Sequence, residues 1–210
     1  MSDKREHILT VAEELFGDKG FDGTSVRDIA QKAGVNLAMI SYYFGSKEKL
    51  LESLIELRAG YAYGVLEELN KDESLTPWGK IDQLVEFYVD RILNNLPFHN
   101  IMYREATNFR SNEIRDRIIT IKVRNMDQIT KIITDGQQKK LFREVDIPMT
   151  VGTLMGTISS YTQSKSYGCH ILALGYETND DTYRTKLAPR LKAHLKQLMR
   201  AQLDIKNEEQ

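Results

Sequence analysis

The chain has 210 residues, 41% hydrophobic and 28% charged, with 29 lysines and arginines against 30 acidic residues. This is ordinary composition for a soluble globular protein with a real core. The single cysteine, Cys169, excludes an intramolecular disulfide and Cys-rich zinc patterns and points to a reducing cytoplasm, while no segment approaches the ~18 consecutive apolar residues of a membrane span or resembles a signal peptide.

Only four prolines and thirteen glycines interrupt the chain, which favours long helices. The first predicted helix runs from Lys4 to Phe16, with Ile8, Leu9, Ala12, Leu15 and Phe16 at helical spacing. Gly17 and Gly20 end it, and Phe21 returns to the core. Ser25 with Asp28 three residues on reads as a capping box, with Thr24 the alternative cap. Val26, Ile29, Ala30 and Ala33 make one face of that second helix, and Gly34 stops it. Asn36 caps a third helix anchored by Ile40 and Phe44. Ser46 caps a fourth that runs on through Leu50, Leu51, Leu54, Ile55 and Leu57.

Beyond residue 46 the helices lengthen. Helices are predicted from Trp78 to Leu96, from Phe98 to Phe109 and from Ser111 to about Gly136. The last of these is expected to bury Ile119, Val123, Met126, Thr130 and Ile133. A loop covers 137–147. Pro148 opens a helix with Val151, Leu154, Met155, Ile158 and Tyr161 on one face. The stretch 165–179 is less regular, and a final helix runs from about Asp180 to Leu203 with the stripe Leu187, Leu191, Leu195 and Leu198. Pro189 either kinks this helix or marks its start. The expected fold is all-α: a three-helix DNA-binding domain at 1–46 and a larger helical ligand-binding and dimerisation domain at 47–210.

Two short helices joined tightly at Gly34-Val35-Asn36 fit a helix-turn-helix. Ala30 is small where the helices cross, Ile40 anchors the second helix, and Leu37, Ala38, Ser41 and Tyr42, with Met39 beside them, are free to enter a major groove. The formal charge of −1 is mild evidence against DNA binding. Between Thr24 and Lys49, however, Arg27, Lys32, Lys47 and Lys49 outnumber Asp28 and Glu48.

The stretch TSVRDIAQKAGVNLAMISYYFGSKEKLL, residues 24–51, resembles the TetR (tetracycline-repressor-like) family of bacterial transcription regulators, and Ala12, Phe16, Gly20 and Phe21 match upstream. The resemblance implies that Thr24, Ser25 and the start of the second helix bind a phosphate, and that Tyr42 and Tyr43 donate to phosphates. It also implies that Lys47 clamps the DNA backbone and that Asn36, Leu37, Ala38, Met39 and Ser41 lie along the groove. Relatives often carry a lysine or glycine pair where this chain has Leu37-Ala38, and a tyrosine at Ser41. Here apolar contacts such as thymine methyls replace hydrogen bonds.

The expected function is a cytoplasmic repressor released from a palindromic operator by a small, largely apolar molecule. Candidate pocket residues are Tyr61, Phe87, Tyr88, Met102, Tyr103, Phe109, Met126, Met155 and Tyr161. Arg104, Glu105 and Asn108 could supply polarity. The helices near 148–167 and 180–203, with Gly152 and Gly156 four apart, are the expected homodimer surface. His7, His99, His170 and His194 show no metal-ligand spacing and no nucleophile motif appears, so no catalytic residue, metal or cofactor is expected, and no enzyme activity.

Overall fold

A computed structural model describes residues 2–107, 112–175 and 178–205, for Ser2 and Asn112 the backbone alone. The described residues form ten helices and no strand: α1 (Ser2–Lys19), α2 (Val26–Lys32), α3 (Leu37–Phe44), α4 (Lys47–Lys71), α5 (Pro77–Asn94), α6 (Leu96–Thr107), α7 (Asn112–Gln138), α8 (Ile147–Thr162), α9 (Lys165–Ile171) and α10 (Asp180–Leu203). Among the described residues no helix is long and apolar enough to cross a membrane. Two compact units divide the chain, one of Met1–Ala62 with Leu96–Val123, the other of Tyr63–Asn95 with Arg124–Gln210.

The first unit is built on one apolar core. Ile8, Leu9, Ala12, Leu15 and Phe16 of α1 meet Ile29 and Ala30 of α2 and Ile40 and Phe44 of α3. These short helices do not close the core alone: Leu50, Leu51, Leu54 and Ile55 of α4, Phe98 and Ile101 of α6 and Ile114 and Ile118 of α7 complete it. Glu13 is buried on α1, and its Oε2 accepts from Arg58 Nε of α4 at 2.9 Å, a charge-assisted bond.

In the second unit α5 packs on α10. Ile81, Leu84, Val85, Tyr88 and Val89 are buried on α5, and Tyr183, Leu187, Leu191, Leu195, Met199 and Leu203 on α10. Along the exposed edge of this pair Asp82 meets Arg200, Glu86 meets Lys192 and Lys196, and Asp90 meets Lys192, at 2.6–2.8 Å. The order of the pairs makes the two helices antiparallel. Trp78 stacks edge-on against Phe142, 4.6 Å between centroids, with Arg200 over its face. Pro189 lies inside α10 on its exposed side and does not begin the helix, which starts at Asp180 under an Asn179 cap.

Two sequence expectations are corrected. The segment after Lys165 holds a regular helix, α9, capped by Ser164. The buried face of α7 is Ile114, Ile118, Ile121, Gln128, Ile129 and Ile132, together with the expected Ile133, whereas Ile119 and Val123 are 48% and 49% exposed. Isoleucines dominate the buried face, and Gln128 is accommodated on it because Asn70 Nδ2 of α4 donates to its backbone oxygen at 3.0 Å and its side-chain Oε1 at 3.2 Å.

Candidate nucleic-acid interface

The helix-turn-helix is assembled from local chemistry. Asp28 N donates to Ser25 Oγ at 3.1 Å and Ser25 N donates back to Asp28 Oδ2 at 2.9 Å, closing the capping box that starts α2. The Ser25 hydroxyl also donates to Asp28 Oδ2 at 2.7 Å, and these bonds, the hydroxyl's first, hold the Asp28 carboxyl below its ordinary value. Gly34 then turns with φ +63°, where a Cβ is strained. Val35 N reaches Ala30 O at 3.0 Å, and Asn36 Oδ1 accepts from Ala38 N at 3.0 Å to start α3.

Helix α3 has an inner and an outer side. Ile40 and Phe44 face the core at 1% and 5% exposure. Leu37, Ala38, Ser41 and Tyr42 are exposed, Tyr42 most of all at 74%. Met39 and Tyr43 are half-buried beside them, and the Tyr43 ring packs edge-on to Tyr42 at 5.2 Å. Asn36 and Ser25 are exposed at the two helix starts. The outer side is thus a short ridge of small, apolar and hydroxyl-bearing groups without a formal charge on α3 itself.

Thr24 and Lys47 sit differently. Thr24 is 1% exposed, and its hydroxyl lies against Leu15 O at 3.1 Å and Gly20 O at 2.8 Å. Lys47, the first residue of α4, directs Nζ to Phe21 O at 2.9 Å and Thr24 O at 3.0 Å, 4.2 Å above the Phe21 ring. A lysine at a helix start opposes the helix dipole. The carbonyls of this loop offset that cost. Arg5 of α1 lies over the Phe44 ring at 5.2 Å, a contact between distant positions that leaves no spacing to read in the sequence.

The candidate pocket residues are divided between the units. Tyr61 and Tyr103 are exposed and Met102 is buried in the first. Tyr88 is buried and Phe87, Met126, Met155 and Tyr161 are half-buried in the second. Phe109 and Asn108 lie outside the described residues. Burial pushes the Tyr88 phenol up to about 12. Tyr161 O is taken by the Tyr183 hydroxyl at 2.7 Å, and Arg104 donates to Gly17 O at 3.1 Å. Glu105 is buried. A cavity of about 670 Å³ in the first unit is lined by Arg5, Glu52, Glu56, Glu113 and Arg117 among others, and by none of the candidates. Among the described residues no group of three or more His, Cys, Asp or Glu could hold a metal ion.

Residues 8–54 match the family model described as "Bacterial regulatory proteins, tetR family", and residues 74–163 match "Tetracyclin repressor-like, C-terminal domain". The chain is 32% identical over 145 residues to the probable HTH-type transcriptional regulator YttP of Bacillus subtilis, covering 69% of this chain and 70% of that one. It is 30% identical over 152 residues to the HTH-type transcriptional repressor NicS of Pseudomonas putida, covering 72% and 71%. Among solved structures, the TetR family regulator PfmR of Thermus thermophilus superposes with a TM-score of 0.73 at 23% identity, over 93% of this chain and 95% of that one.

Proposed function

The chain belongs to the TetR family of bacterial transcriptional regulators, and we propose that it is a homodimeric repressor released from a near-palindromic operator by a small, largely apolar molecule. One observation carries this reading: the exposed ridge of Leu37, Ala38, Ser41 and Tyr42 on α3, held rigidly from behind by Ile40 and Phe44. Such a ridge fits a major groove, with Leu37 and Ala38 against thymine methyls and the Ser41 hydroxyl on a base edge or phosphate. Tyr42, Tyr43 and the start of α2 beside the exposed Ser25 would fix the register on phosphates. Asn36 and Met39 flank the ridge.

Two protomers related by a two-fold axis present two such ridges about one DNA turn apart, which is why the operator is expected to be near-palindromic. The outward face of α8 suits close approach by a partner helix. Gly152 and Gly156 have open space where a side chain would stand. The hydroxyls of Thr153, Thr157 and Ser160 fold back onto carbonyls of their own helix at 2.8–2.9 Å, so the face offers few unpaired polar groups. The effector is expected among the aromatic and methionine side chains of the helices after α3, with Phe87, Tyr88, Met126, Met155 and Tyr161 as the candidates in the second unit.

A mobility shift with the DNA flanking the protein's own gene tests the reading. A shift that resists competitor DNA, weakens steeply with salt and maps to a near-palindrome is expected. Equal binding to all duplexes would overturn it.

A further inference from the structure

We propose that the first two turns of α1 brace the recognition helix, with Arg5 and His7 as positioning residues that set the aim of α3 without touching DNA. The inference rests on the DNA-binding reading above and adds to it the residues that hold the ridge at its angle.

Helix α3 has eight residues and spans only about 12 Å, so a small shift at either end tilts the whole ridge. Contacts from α1 meet both ends. At the far end the Arg5 guanidinium lies 5.2 Å over the ring of Phe44, the last residue of α3. At the near end His7 Nε2 lies 3.2 Å from Ala33 O, one residue before Gly34, whose turn leads into α3. A carbonyl can only accept, so Nε2 carries a proton in this contact and donates. Neighbouring carbonyls at the end of α2 are taken within the turn: Ala33 N donates to Ile29 O, Gly34 N to Gln31 O and Val35 N to Ala30 O, at 2.9–3.2 Å. The imidazole completes this set from another helix.

Spacing along α1 explains how one segment reaches both ends. Arg5, Leu9, Ala12 and Phe16 stand four, three and four residues apart, so Arg5 prolongs the buried stripe to the edge of the core at Phe44. His7 and Glu14 are seven apart and share a flank, and Glu14 meets Lys32 of α2 at 2.9 Å, next to Ala33. Arg5 and His7 are exposed, whereas Ile8 and Leu9 are buried and keep α1 in the core. Losing either contact therefore removes little stability. What it removes is the fixed angle of α3. Non-specific binding draws on phosphate charge and tolerates a tilted helix, while contacts to base edges do not. The brace thus acts on discrimination between sequences.

The experiment uses the full chain with His7→Leu, His7→Gln, Arg5→Met and Arg5→Lys. Affinity for the flanking-DNA fragment and for a duplex of scrambled sequence is measured across a salt series, with thermal unfolding of each variant and amide exchange at 34–36 in the free protein. With the brace, His7→Leu and Arg5→Met each lower affinity for the flanking DNA about 5- to 10-fold. Binding to the scrambled duplex stays within about twofold of wild type, and the salt slope is kept. His7→Leu also speeds exchange at 34–36. His7→Gln can still donate and Arg5→Lys can still lie over the ring, so both recover most of the discrimination. The two contacts are separate, and either variant carries the test if the other folds poorly. Equal losses on both duplexes that follow a fall in melting temperature would assign a merely structural role and overturn the proposal. A salt slope reduced by about 0.9 per protomer in Arg5→Met would assign Arg5 a phosphate contact and overturn it as well. Discrimination unchanged in both His7→Leu and Arg5→Met would do the same. A wild-type protein that binds both duplexes equally, while His7→Leu still speeds exchange at 34–36, would overturn the DNA-binding reading and the brace with it.

Discussion

Ile40 and Tyr42 stand two residues apart on α3 and should separate folding from recognition. Ile40 is 1% exposed, and Ile40→Ala leaves a cavity behind the ridge. A loss of about 2–5 kcal/mol is expected in denaturant unfolding. Tyr42 is 74% exposed. Tyr42→Phe should change stability by less than about 0.5 kcal/mol, while removal of one hydroxyl hydrogen bond per protomer lowers operator affinity roughly 5- to 10-fold. Wild-type affinity in Tyr42→Phe would take the hydroxyl out of the interface. The outward set on α3 was legible in the sequence because one helical turn fixes which positions share a face. The bonds of Lys47 were not, since they depend on where a loop 23 to 26 residues upstream turns its carbonyls.

Helices were easier to find than the faces they bury. Capping residues and breakers located most of the ten, including Asn36 before α3 and Pro148 at the start of α8. The buried face of α7 includes Gln128, whose partner Asn70 lies on another helix, and no pattern within α7 contains that contact. Gly136 is a similar case. A Cβ there would lie 2.1 Å from the Phe142 ring, which fills the space against Trp78. Gly136→Ala gains up to ~1 kcal/mol in helix propensity, but overpacking costs about 1–3 kcal/mol. A net loss in thermal unfolding is expected, and a rise in Tm would show that the Phe142 ring moves aside at little cost. The ladder between α5 and α10 carries a pH dependence. Hydrogen bonds from Lys192 and Lys196 hold the Glu86 carboxyl below its ordinary 4.5. A carboxylate with a depressed folded value stabilises the fold above its unfolded value, and that contribution is lost as pH falls through the folded one. Glu86 is 42% exposed, so screening keeps the effect within about 1 kcal/mol. Glu86→Gln should therefore lower stability slightly at neutral pH and match the wild type once the pH has dropped below the depressed value. A gap that persists in strong acid would point to packing rather than charge.

At the scale of the whole molecule, the proposed homodimeric repressor needs two ridges at a fixed separation, and the surface that fixes it must cost one protomer little to expose. The outer face of α8 meets that condition. Met149 is 68% exposed, and Gly152, Thr153, Gly156 and Ser160 continue the exposed row. Glycine in a helix interior is unfavourable by roughly 0.8–1 kcal/mol relative to alanine. Two glycines there, each with nothing within 4 Å of a Cβ, gain no packing from their own chain. Close approach by a second copy would offset that cost. Gly156→Leu distinguishes the possibilities because its effects on one protomer and on a dimer have opposite signs. In a single protomer the leucine enters open space and improves helix propensity, so helicity should be kept or rise. At a dimer seam it inserts several carbon atoms where two backbones meet, and the dimer should dissociate. Sedimentation at micromolar concentration is expected to show the wild type as a dimer and Gly156→Leu as a folded monomer. Operator affinity should then fall to that of a single half-site, since the linkage between the two ridges is lost. A Gly156→Leu protein that sediments as a dimer and binds the operator normally would place the subunit contact on another face.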